Sequence, residues 1–151
     1  MKVLFVCLGN ICRSPLAEAV FTHKIQKLNL QFTISADSCG TGAYHIGEQP
    51  DPRTIKTAEN NGVAIWHQAR QLSPTDLTDF DYLFAMDEQN LNGILRLAGA
   101  TQHKHKIKLM REFDPHGPGD VPDPYYGTMH DFQHVFQMLD RTLDVFIESI
   151  K

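Results

Sequence analysis

A cysteine and an arginine lie close together near the start of the chain, in the stretch from Val6 to Pro15 that reads VCLGNICRSP. Cys7 follows an apolar run, and Arg13 comes just before a helical pattern. Helix N-termini and nearby cations favour the thiolate form of cysteine, so we expect Cys7 to be largely a thiolate at neutral pH. The planar guanidinium of Arg13 can bind two oxygens of a phosphate. This spacing therefore predicts a loop that holds an oxyanion above a sulfur nucleophile.

The residues between and after this pair predict a tight turn. We expect Gly9 to take a left-handed backbone conformation, which gives the loop amides room to curl around an anion. Asn10 suits a left-handed turn position, and stabilisation of the loop is its expected role. Ser14 either caps the following helix or gives a hydrogen bond to the sulfur. No Gly-Lys-Ser/Thr sequence follows, so the loop is not a Walker A site, and attack of sulfur on phosphorus through a covalent intermediate is the reaction that fits it.

Attack on a phosphate ester needs a general acid that protonates the leaving oxygen. The candidate is Asp123, in the segment VPDPYYG from Val121 to Gly127. Prolines on both sides fix the backbone around this carboxylate, and two tyrosines follow it. An acid held beside an aromatic wall suits a phenyl phosphate, whereas the alternative interpretation is an ordinary turn aspartate before proline.

The composition favours one soluble domain spanning residues 1–151, since 42% of the residues are hydrophobic and 21% are charged. The net charge of −4 argues against nucleic acid as the main partner, and we interpret the basic run 103–108 as a solvated approach to an edge strand. The pattern contains no evident signal peptide and no membrane-spanning segment. Three cysteines without paired CxxC spacing fit a reducing cytoplasm and argue against a structural zinc site.

Periodicity predicts the elements that position these residues. Short apolar or alternating runs predict four strands, at residues 2–6, 32–36, 82–86 and 107–110. Helical spacing predicts helices from Pro15 to about residue 28, over 52–61, from a start at 73–74, from Asp87 to about residue 98, and along 132–150. Segments 38–50 and 114–127 are predicted loops. Alternating strands and helices indicate an α/β sandwich with a parallel sheet, in which ligands bind beyond the carboxyl ends of the strands.

The cysteine loop and the Asp-Pro-Tyr-Tyr segment together resemble those of the low-molecular-weight protein tyrosine phosphatases, and the order of elements matches along essentially the whole chain. Further similar segments are 37–38, 47–53, 67–71, 80–82 and 86–91. The resemblance implies a three-layer α/β sandwich, with a four-stranded parallel sheet, helices on both faces and the phosphate-binding loop after the first strand. It also implies hydrolysis of phosphotyrosine through a phosphocysteine, with no cofactor and no metal.

Carried over by position, the resemblance assigns roles to residues of three kinds. It implies Cys7 as nucleophile, Arg13 as phosphate ligand, and Asp123 as the acid and then the base. The other members of the phosphate-binding loop are Leu8, Gly9, Asn10, Ile11, Cys12 and Ser14, of which Ser14 assists the thiolate. His67 and Asn10 belong to the network that holds the loop, and Asp87 either lies near that loop or is only a helix N-cap. The implied substrate rim is Tyr44, Tyr125 and Tyr126.

Two further implications concern regulation and substrate. Cys12 matches a second loop cysteine that can form a reversible disulfide with the nucleophile, although packing under the loop is the alternative. Cys39 has no assigned role. Relatives that act on phosphoarginine tend to have threonine at the position of Ile11 and to lack the paired tyrosines, so we expect this chain to act on phosphotyrosine.

Two other functions are the alternatives. A thiol-dependent arsenate reductase of the same fold usually needs redox cysteines in a later segment, and none follows Cys39. A non-catalytic phosphopeptide-binding or redox-sensing module is disfavoured because Cys7, Arg13 and Asp123 occur together. The expected partners are phosphotyrosine-containing proteins and inorganic phosphate or other oxyanions. The expected assembly is a monomer or weak dimer in the cytoplasm.

Overall fold

The structure, a computed structural model, describes residues 1–151. Its strands are β1 (Lys2–Cys7), β2 (Ser35–Gly40), β3 (Tyr82–Ala85) and β4 (Ile107–Leu109). Its α-helices are α1 (Arg13–Lys27), α2 (Pro52–Asn60), α3 (Asp76–Asp79), α4 (Glu88–Leu95) and α5 (Met129–Ile150). Two 3-10 helices, Ala100–Lys106 and Met110–Phe113, flank β4. None of these helices combines the length and the apolar character needed to cross a membrane.

The four strands form one parallel sheet in the order β2-β1-β3-β4. Because successive side chains of a strand point to opposite faces, β1 contributes to two separate cores. Val3 and Phe5 belong to the core that contains residues of α1 and α5, and Leu4 and Val6 belong to the core that contains residues of α3 and α4. This arrangement confirms the predicted three-layer sandwich with helices on both faces.

The central position of β1 determines where the cysteine loop opens. β1 is paired along both edges, and its last residue, Cys7, lies opposite Gly40 of β2. Phe5 stacks on Phe84 of β3 and packs edge-on against Phe21 of α1, so the strand is held from two sides. The segment between β1 and α1, residues 8–12, is called the β1–α1 loop below. It leaves the sheet at the carboxyl edge, as predicted.

Strand β2 lies later in the chain than predicted. The alternation from Phe32 to Ala36 indicated a strand, but the strand is Ser35–Gly40, and Phe32 is 88% exposed. The amides of residues 33 and 34 bond to the carbonyl of Leu30 in a turn, which keeps Phe32 outside the sheet. The strand reads SADSCG. Its residue Ser38 is buried beneath the β1–α1 loop although it is polar, so the strand lacks the alternation of apolar and polar residues that predicts a strand. Residues 38–40 therefore belong to the sheet and not to the predicted loop.

Other predicted boundaries differ by a few residues. Helix α1 begins at Arg13 instead of Pro15, and α4 follows Asp87 as predicted but ends at Leu95. Helix α5 begins at Met129, because the residue before it forms a capping box with a carboxylate of the first turn. The basic run forms a 3-10 helix that leads into β4, which is the edge strand expected there.

Candidate active site

An open pocket of about 280 Å³ lies where the β1–α1 loop meets the segment that carries Asp123. The predicted site residues that line it are Cys7, Leu8, Gly9, Ile11, Cys12, Arg13, Tyr44, Asp123, Tyr125 and Tyr126. His45, which sequence reasoning did not indicate, completes the lining. The predicted residues Asn10, Ser14, His67 and Asp87 lie behind this surface, where they contact each other or the residues that form it.

Ser14 lies against the sulfur of Cys7. Its Oγ is 3.0 Å from Cys7 Sγ and accepts a hydrogen bond from Asn10 Nδ2 at 2.8 Å. Because Asn10 donates to this oxygen, the hydroxyl hydrogen of Ser14 points either to the sulfur or to the carbonyl of Cys39, which is more distant at 3.4 Å. Helix α1 has no side-chain cap. Of the two roles predicted for Ser14, the geometry supports the bond to sulfur and not the helix cap.

The left-handed residue of the β1–α1 loop is Asn10 and not Gly9. Asn10 has a φ of 58°, as predicted, whereas Gly9 is not among the residues with positive φ, so the prediction for Gly9 was wrong. Gly9 provides space instead, because a Cβ at this position would come within 3.1 Å of Cδ2 of His45. The glycine therefore lets His45 approach the loop closely.

Asn10 is the centre of a buried hydrogen-bond network beneath the β1–α1 loop. Its Oδ1 accepts a bond from the amide of Arg70 at 3.0 Å and lies 2.7 Å from Nε2 of His67. Its Nδ2 donates to the hydroxyls of Ser14 and Ser38, at 2.8 and 3.0 Å. Because Asn10 is only 1% exposed and its amide groups are all paired, the network holds the loop in one conformation.

Charged groups surround His67 on the far side of this network. Its Nδ1 lies 3.1 Å from Glu18 Oε1 and 3.8 Å from Asp37 Oδ1. These three residues offer potential metal-ligand atoms within 4.8 Å of one another. The atoms are already engaged, however, since Ser38 donates to Glu18 at 2.7 Å and Arg70 donates to Asp37 at 2.9 Å. The cluster therefore acts as a support for the loop.

Arg13 is buried in the wall of the pocket. Its Nη1 donates to Asp87 Oδ2 at 2.7 Å and to the carbonyl of Val121 at 3.0 Å, and its Nη2 lies 3.7 Å from Asp123 Oδ2. Burial opposes the charge, but Cys7, Asp87 and Asp123 outweigh burial and raise the pKa of Arg13. The guanidinium is therefore a permanent positive charge in the pocket.

Asp87 has both of the roles that the sequence left open, the cap of a helix and a contact near the loop. Its Oδ1 accepts a hydrogen bond from the amide of Asn90, which caps helix α4. Its Oδ2 accepts the bond from Arg13. One carboxylate thus ties the start of α4 to the guanidinium.

Asp123 lines the pocket together with the β1–α1 loop, and its side chain is 44% exposed. Its Oδ1 accepts a hydrogen bond from the amide of Tyr125 at 3.1 Å, which fixes the carboxylate on its own turn. Two residues earlier, the amide of Val121 bonds to the carbonyl of Met86 at 2.7 Å. The backbone just before the carboxylate is thereby attached to the end of β3.

The segment that carries Asp123 is also anchored where it begins, at Asp114. This carboxylate accepts bonds from Arg111 at 2.8 Å and from Arg141 at 2.9 and 3.1 Å, and its side chain has no exposed surface. Burial by itself would raise the pKa of Asp114, but Arg141, the amide of His116 and Arg111 outweigh it and lower the pKa. The folded protein therefore favours the ionised form.

Replacing Asp114 with asparagine should lower the free energy of unfolding by about 3 kcal/mol at pH 7, because two arginines lose their carboxylate partner. A carboxyl group whose pKa is lowered by folding stabilises the fold above its unfolded pKa of about 4, and that contribution is lost as the pH falls. The difference between wild type and Asp114→Asn should therefore shrink at acid pH. Urea unfolding at about pH 7 and about pH 3 measures it. The exposed Asp79→Asn is the control, and an equal difference at both pH values would contradict the assignment.

Cys12 lines the same pocket as Cys7, and both are free cysteines. Burial raises the pKa of Cys12 to about 12, and the negative charge of Asp51 adds to this effect. Cys12 is therefore a neutral thiol near pH 7. Cys39 is fully buried in the core on the α3–α4 face of the sheet and does not line the pocket.

Three tyrosine rings stand at the mouth of the pocket. Tyr44 and Tyr126 are 73% and 96% exposed, and Tyr125 contacts Tyr126 edge-to-face at 4.9 Å. The guanidinium of Arg53 lies 5.5 Å from the centre of the Tyr125 ring and is held in turn by Asp51 at 2.9 Å. The rim thus offers apolar faces to a flat ligand. The sequence placed Arg53 in a segment similar to the family but assigned it no role, because its contact with the rim joins distant segments.

Comparison with known proteins agrees with this geometry. The sequence model of the family described as "Low molecular weight phosphotyrosine protein phosphatase" matches residues 2–151. The chain is 45% identical over 152 residues to the low molecular weight phosphotyrosine protein phosphatase of Schizosaccharomyces pombe, which covers 99% of this chain and 97% of that relative. The chain belongs to the low molecular weight phosphotyrosine protein phosphatase family and is an enzyme of that family.

Comparison with solved structures also identifies phosphatases of this fold. A crystal structure of the protein tyrosine phosphatase from Entamoeba histolytica, with Hepes in the active site, matches with a TM-score of 0.94 at 41% identity, covering 99% of this chain and 96% of that one. A Drosophila arginine phosphatase matches with a TM-score of 0.89 at 33% identity, covering 100% of this chain and 98% of that one. The fold is therefore shared by relatives named for two different phosphorylated residues.

Proposed function

We propose that this enzyme hydrolyses phosphotyrosine in protein substrates through a phosphocysteine intermediate and without a metal ion, with residues 1–151 acting as a single domain. The observation that carries the proposal is the convergence of Cys7, Arg13 and Asp123 on one pocket. A permanent guanidinium and the amides of the β1–α1 loop supply the positive charge that a transferring phosphoryl group needs. A divalent cation is therefore not required by the reaction.

In the first step, the thiolate of Cys7 attacks phosphorus, and the bond between phosphorus and the phenolic oxygen breaks. Asp123 gives its proton to the departing oxygen, so the product leaves as a neutral phenol. Arg13 binds two phosphoryl oxygens, as its fork of donors allows. Ser14, whose hydroxyl lies 3.0 Å from the sulfur, donates to the thiolate. The step produces tyrosine and an S-phosphocysteine.

In the second step, water attacks the phosphorus of the phosphocysteine. Asp123, now ionised, takes a proton from the water, and the bond between phosphorus and sulfur breaks. Inorganic phosphate is released and the thiolate of Cys7 is restored, with Ser14 again donating to the sulfur as charge returns to it. The carboxylate ends the cycle protonated, ready for the next leaving group.

Replacing Asp123 with asparagine should slow hydrolysis according to the leaving group. For p-nitrophenyl phosphate, whose phenolate leaves readily, we expect kcat to fall about 100-fold, at the low end of general acid catalysis. For phenyl phosphate, which needs the proton more, the loss should be larger. Steady-state kinetics with both esters measures the ratio. Because Asp123 also acts as the base of the second step, which both esters share, the acid role is judged on kcat/KM, which reports the first step; an equal loss of kcat/KM with both esters, or no loss with either, would contradict it.

Replacing Asp87 with asparagine should separate its two contacts. Asparagine caps helices as well as aspartate does, so α4 should remain stable. The charge-assisted bond to Arg13 is weakened, so we expect kcat/KM for p-nitrophenyl phosphate to fall about tenfold. Kinetics and thermal unfolding of Asp87→Asn and Asp87→Ala are compared, and the alanine variant should lose more stability, because both variants weaken the bond to the buried Arg13 but only alanine also removes the helix cap. Full activity in the asparagine variant would show that the cap is the only role.

The exposed rim supports phosphotyrosine over phosphoarginine. Tyr44, Tyr125 and Tyr126 provide flat surfaces for a phenyl ring, and Ile11 adds an apolar side chain to the pocket lining. Matched peptides that carry phosphotyrosine or phosphoarginine at the same position test this directly, in the presence of EDTA. We expect kcat/KM to be at least about 100-fold larger for phosphotyrosine, because only a ring fills the space between the tyrosines. A preference for phosphoarginine would replace the substrate assigned here.

Further features belong to the same proposal. A peroxide can oxidise the thiolate of Cys7 to a sulfenic acid, with the peroxide reduced to hydroxide, and the thiol of Cys12 then attacks that sulfur, forming a disulfide and releasing water, which makes the site open to redox regulation. Cys39 is buried away from the pocket, so a cysteine relay of the arsenate reductase type lacks a third partner there. We place the enzyme in the cytoplasm as a monomer or weak dimer that also binds inorganic phosphate.

A further inference from the structure

A second depression of about 540 Å³ adjoins the active-site pocket. Leu8 and Tyr44 line both cavities, so these two side chains form the boundary between them. The far side of the depression is built by helix α4, and its floor by residues that follow β2. A substrate whose phosphorylated ring enters the pocket past Tyr44 thus has an open path for its neighbouring residues. We call this depression the amide groove.

The chemistry of the amide groove differs from that of the pocket. Four of its lining side chains are carboxamides, namely Gln71, Gln89, Asn90 and Asn92. A carboxamide carries both donors and an acceptor, which matches the N–H and C=O that each residue of a peptide backbone presents. No carboxylate lines the groove, and its one charged side chain is Arg96, which is exposed and forms no ion pair.

Asn90 is the buried member of this set. It is only 2% exposed, and its Oδ1 has no hydrogen-bond partner in the protein. Because this oxygen has no accessible surface, the carboxamides that a bound peptide can reach are those of Gln71, Gln89 and Asn92, which are exposed.

We propose that the amide groove binds the polypeptide of the substrate on one side of the phosphotyrosine, and that Arg96 selects an acidic side chain there. The carboxamides pair with the peptide backbone and are indifferent to its sequence, whereas the unpaired guanidinium discriminates by charge. This inference rests on the proposed function, because it extends the substrate that the pocket receives.

The test compares substrates of three kinds: p-nitrophenyl phosphate, which fills the pocket alone, phosphotyrosyl peptides with neutral flanking residues, and phosphotyrosyl peptides with acidic flanking residues. Acidic residues are placed either before or after the phosphotyrosine in two separate series. Wild type should prefer the acidic peptide in one series only. Arg96→Glu should lower kcat/KM for that peptide about tenfold, mainly through KM, and leave p-nitrophenyl phosphate unchanged.

Two further variants complete the design. Asn92→Asp changes an exposed amide to a charge of the same shape and should weaken binding of the same acidic peptide. Lys104→Glu, which reverses an exposed charge outside the groove, is the matched control and should change nothing. Equal kcat/KM for all peptides in wild type and Arg96→Glu would overturn the groove while p-nitrophenyl phosphate hydrolysis leaves the proposed function standing. A wild-type enzyme inactive on every substrate would overturn both.

Discussion

Replacing Cys7 with serine should remove phosphatase activity almost completely, lowering kcat for p-nitrophenyl phosphate on the order of 10⁵-fold or more. A serine hydroxyl is not ionised at neutral pH, and the side chain that contacts position 7 is the hydroxyl of Ser14, which is not a base. The carboxyl group of Asp123 donates its proton to the leaving group in this step, so it does not deprotonate the serine. The variant therefore keeps the phosphate site but lacks a nucleophile. Steady-state kinetics in EDTA, with wild type at equal concentration, measures the loss.

The control for this experiment is Cys39→Ala. Cys39 lies in the core on the α3–α4 face of the sheet, so its loss should affect stability and not the activity of the folded protein. Phosphate or a phosphotyrosine peptide should still bind to Cys7→Ser, since Arg13 and the loop amides are unchanged. Activity within tenfold of wild type in a folded Cys7→Ser variant would be incompatible with the mechanism.

Replacing Arg13 with lysine should lower kcat/KM about 10⁴-fold. Arginine offers two donors to one phosphoryl group, and each lost donor to a developing charge costs about 10² to 10³ in rate. Lysine keeps the positive charge, but it is a point charge on a flexible stem and cannot reproduce the planar fork. Both bonds of Arg13 to Asp87 and to the carbonyl of Val121 come from one nitrogen, Nη1, so a lysine ammonium that replaced them would leave no second nitrogen to bind phosphate. Kinetics with p-nitrophenyl phosphate across a range of concentrations separates kcat from KM.

Arg141→Lys is the matched control, because Arg141 lies on α5 and pairs with Asp114 away from the pocket. It should leave kcat/KM within about twofold of wild type. If Arg13→Lys loses less than tenfold, charge alone is enough and the bidentate contact is not important. If both variants lose activity equally, the effect of position 13 comes from the fold.

The parts of the site that the sequence predicted are those carried by contiguous segments. Cys7 and Arg13 flank one short loop between a buried strand and a helix, so their proximity follows from local spacing. Asp123 stands out because prolines restrict the backbone around it. The pairing of these two segments was inferred from the need of the reaction for a general acid and was supported by the family resemblance, and the structure places both at one pocket.

The parts that the sequence did not predict depend on contacts between distant segments. The predicted position of strand β2 was wrong because Ser38 is polar and is buried for its hydrogen bonds. A strand with such a residue does not show the alternation of apolar and polar residues on which the prediction depends. Gly9 was given the wrong backbone conformation because its requirement is the close approach of His45, a residue from another loop. The role of Arg53 at the rim and the amide groove were not predicted for the same reason. The local sequence of a segment indicates its backbone preferences but does not indicate which side chains from distant segments contact it.

The most direct test of the central claim is the identification of the covalent intermediate. Wild-type enzyme mixed with p-nitrophenyl phosphate and quenched in alkali within milliseconds should carry one added phosphoryl group, which peptide mass spectrometry assigns to Cys7. Asp123→Asn should also form the adduct, because this substrate's leaving group needs little proton assistance, and should retain it longer, because no base activates water. Phosphate found on another residue, or no adduct in either enzyme while turnover proceeds, would contradict a phosphocysteine mechanism.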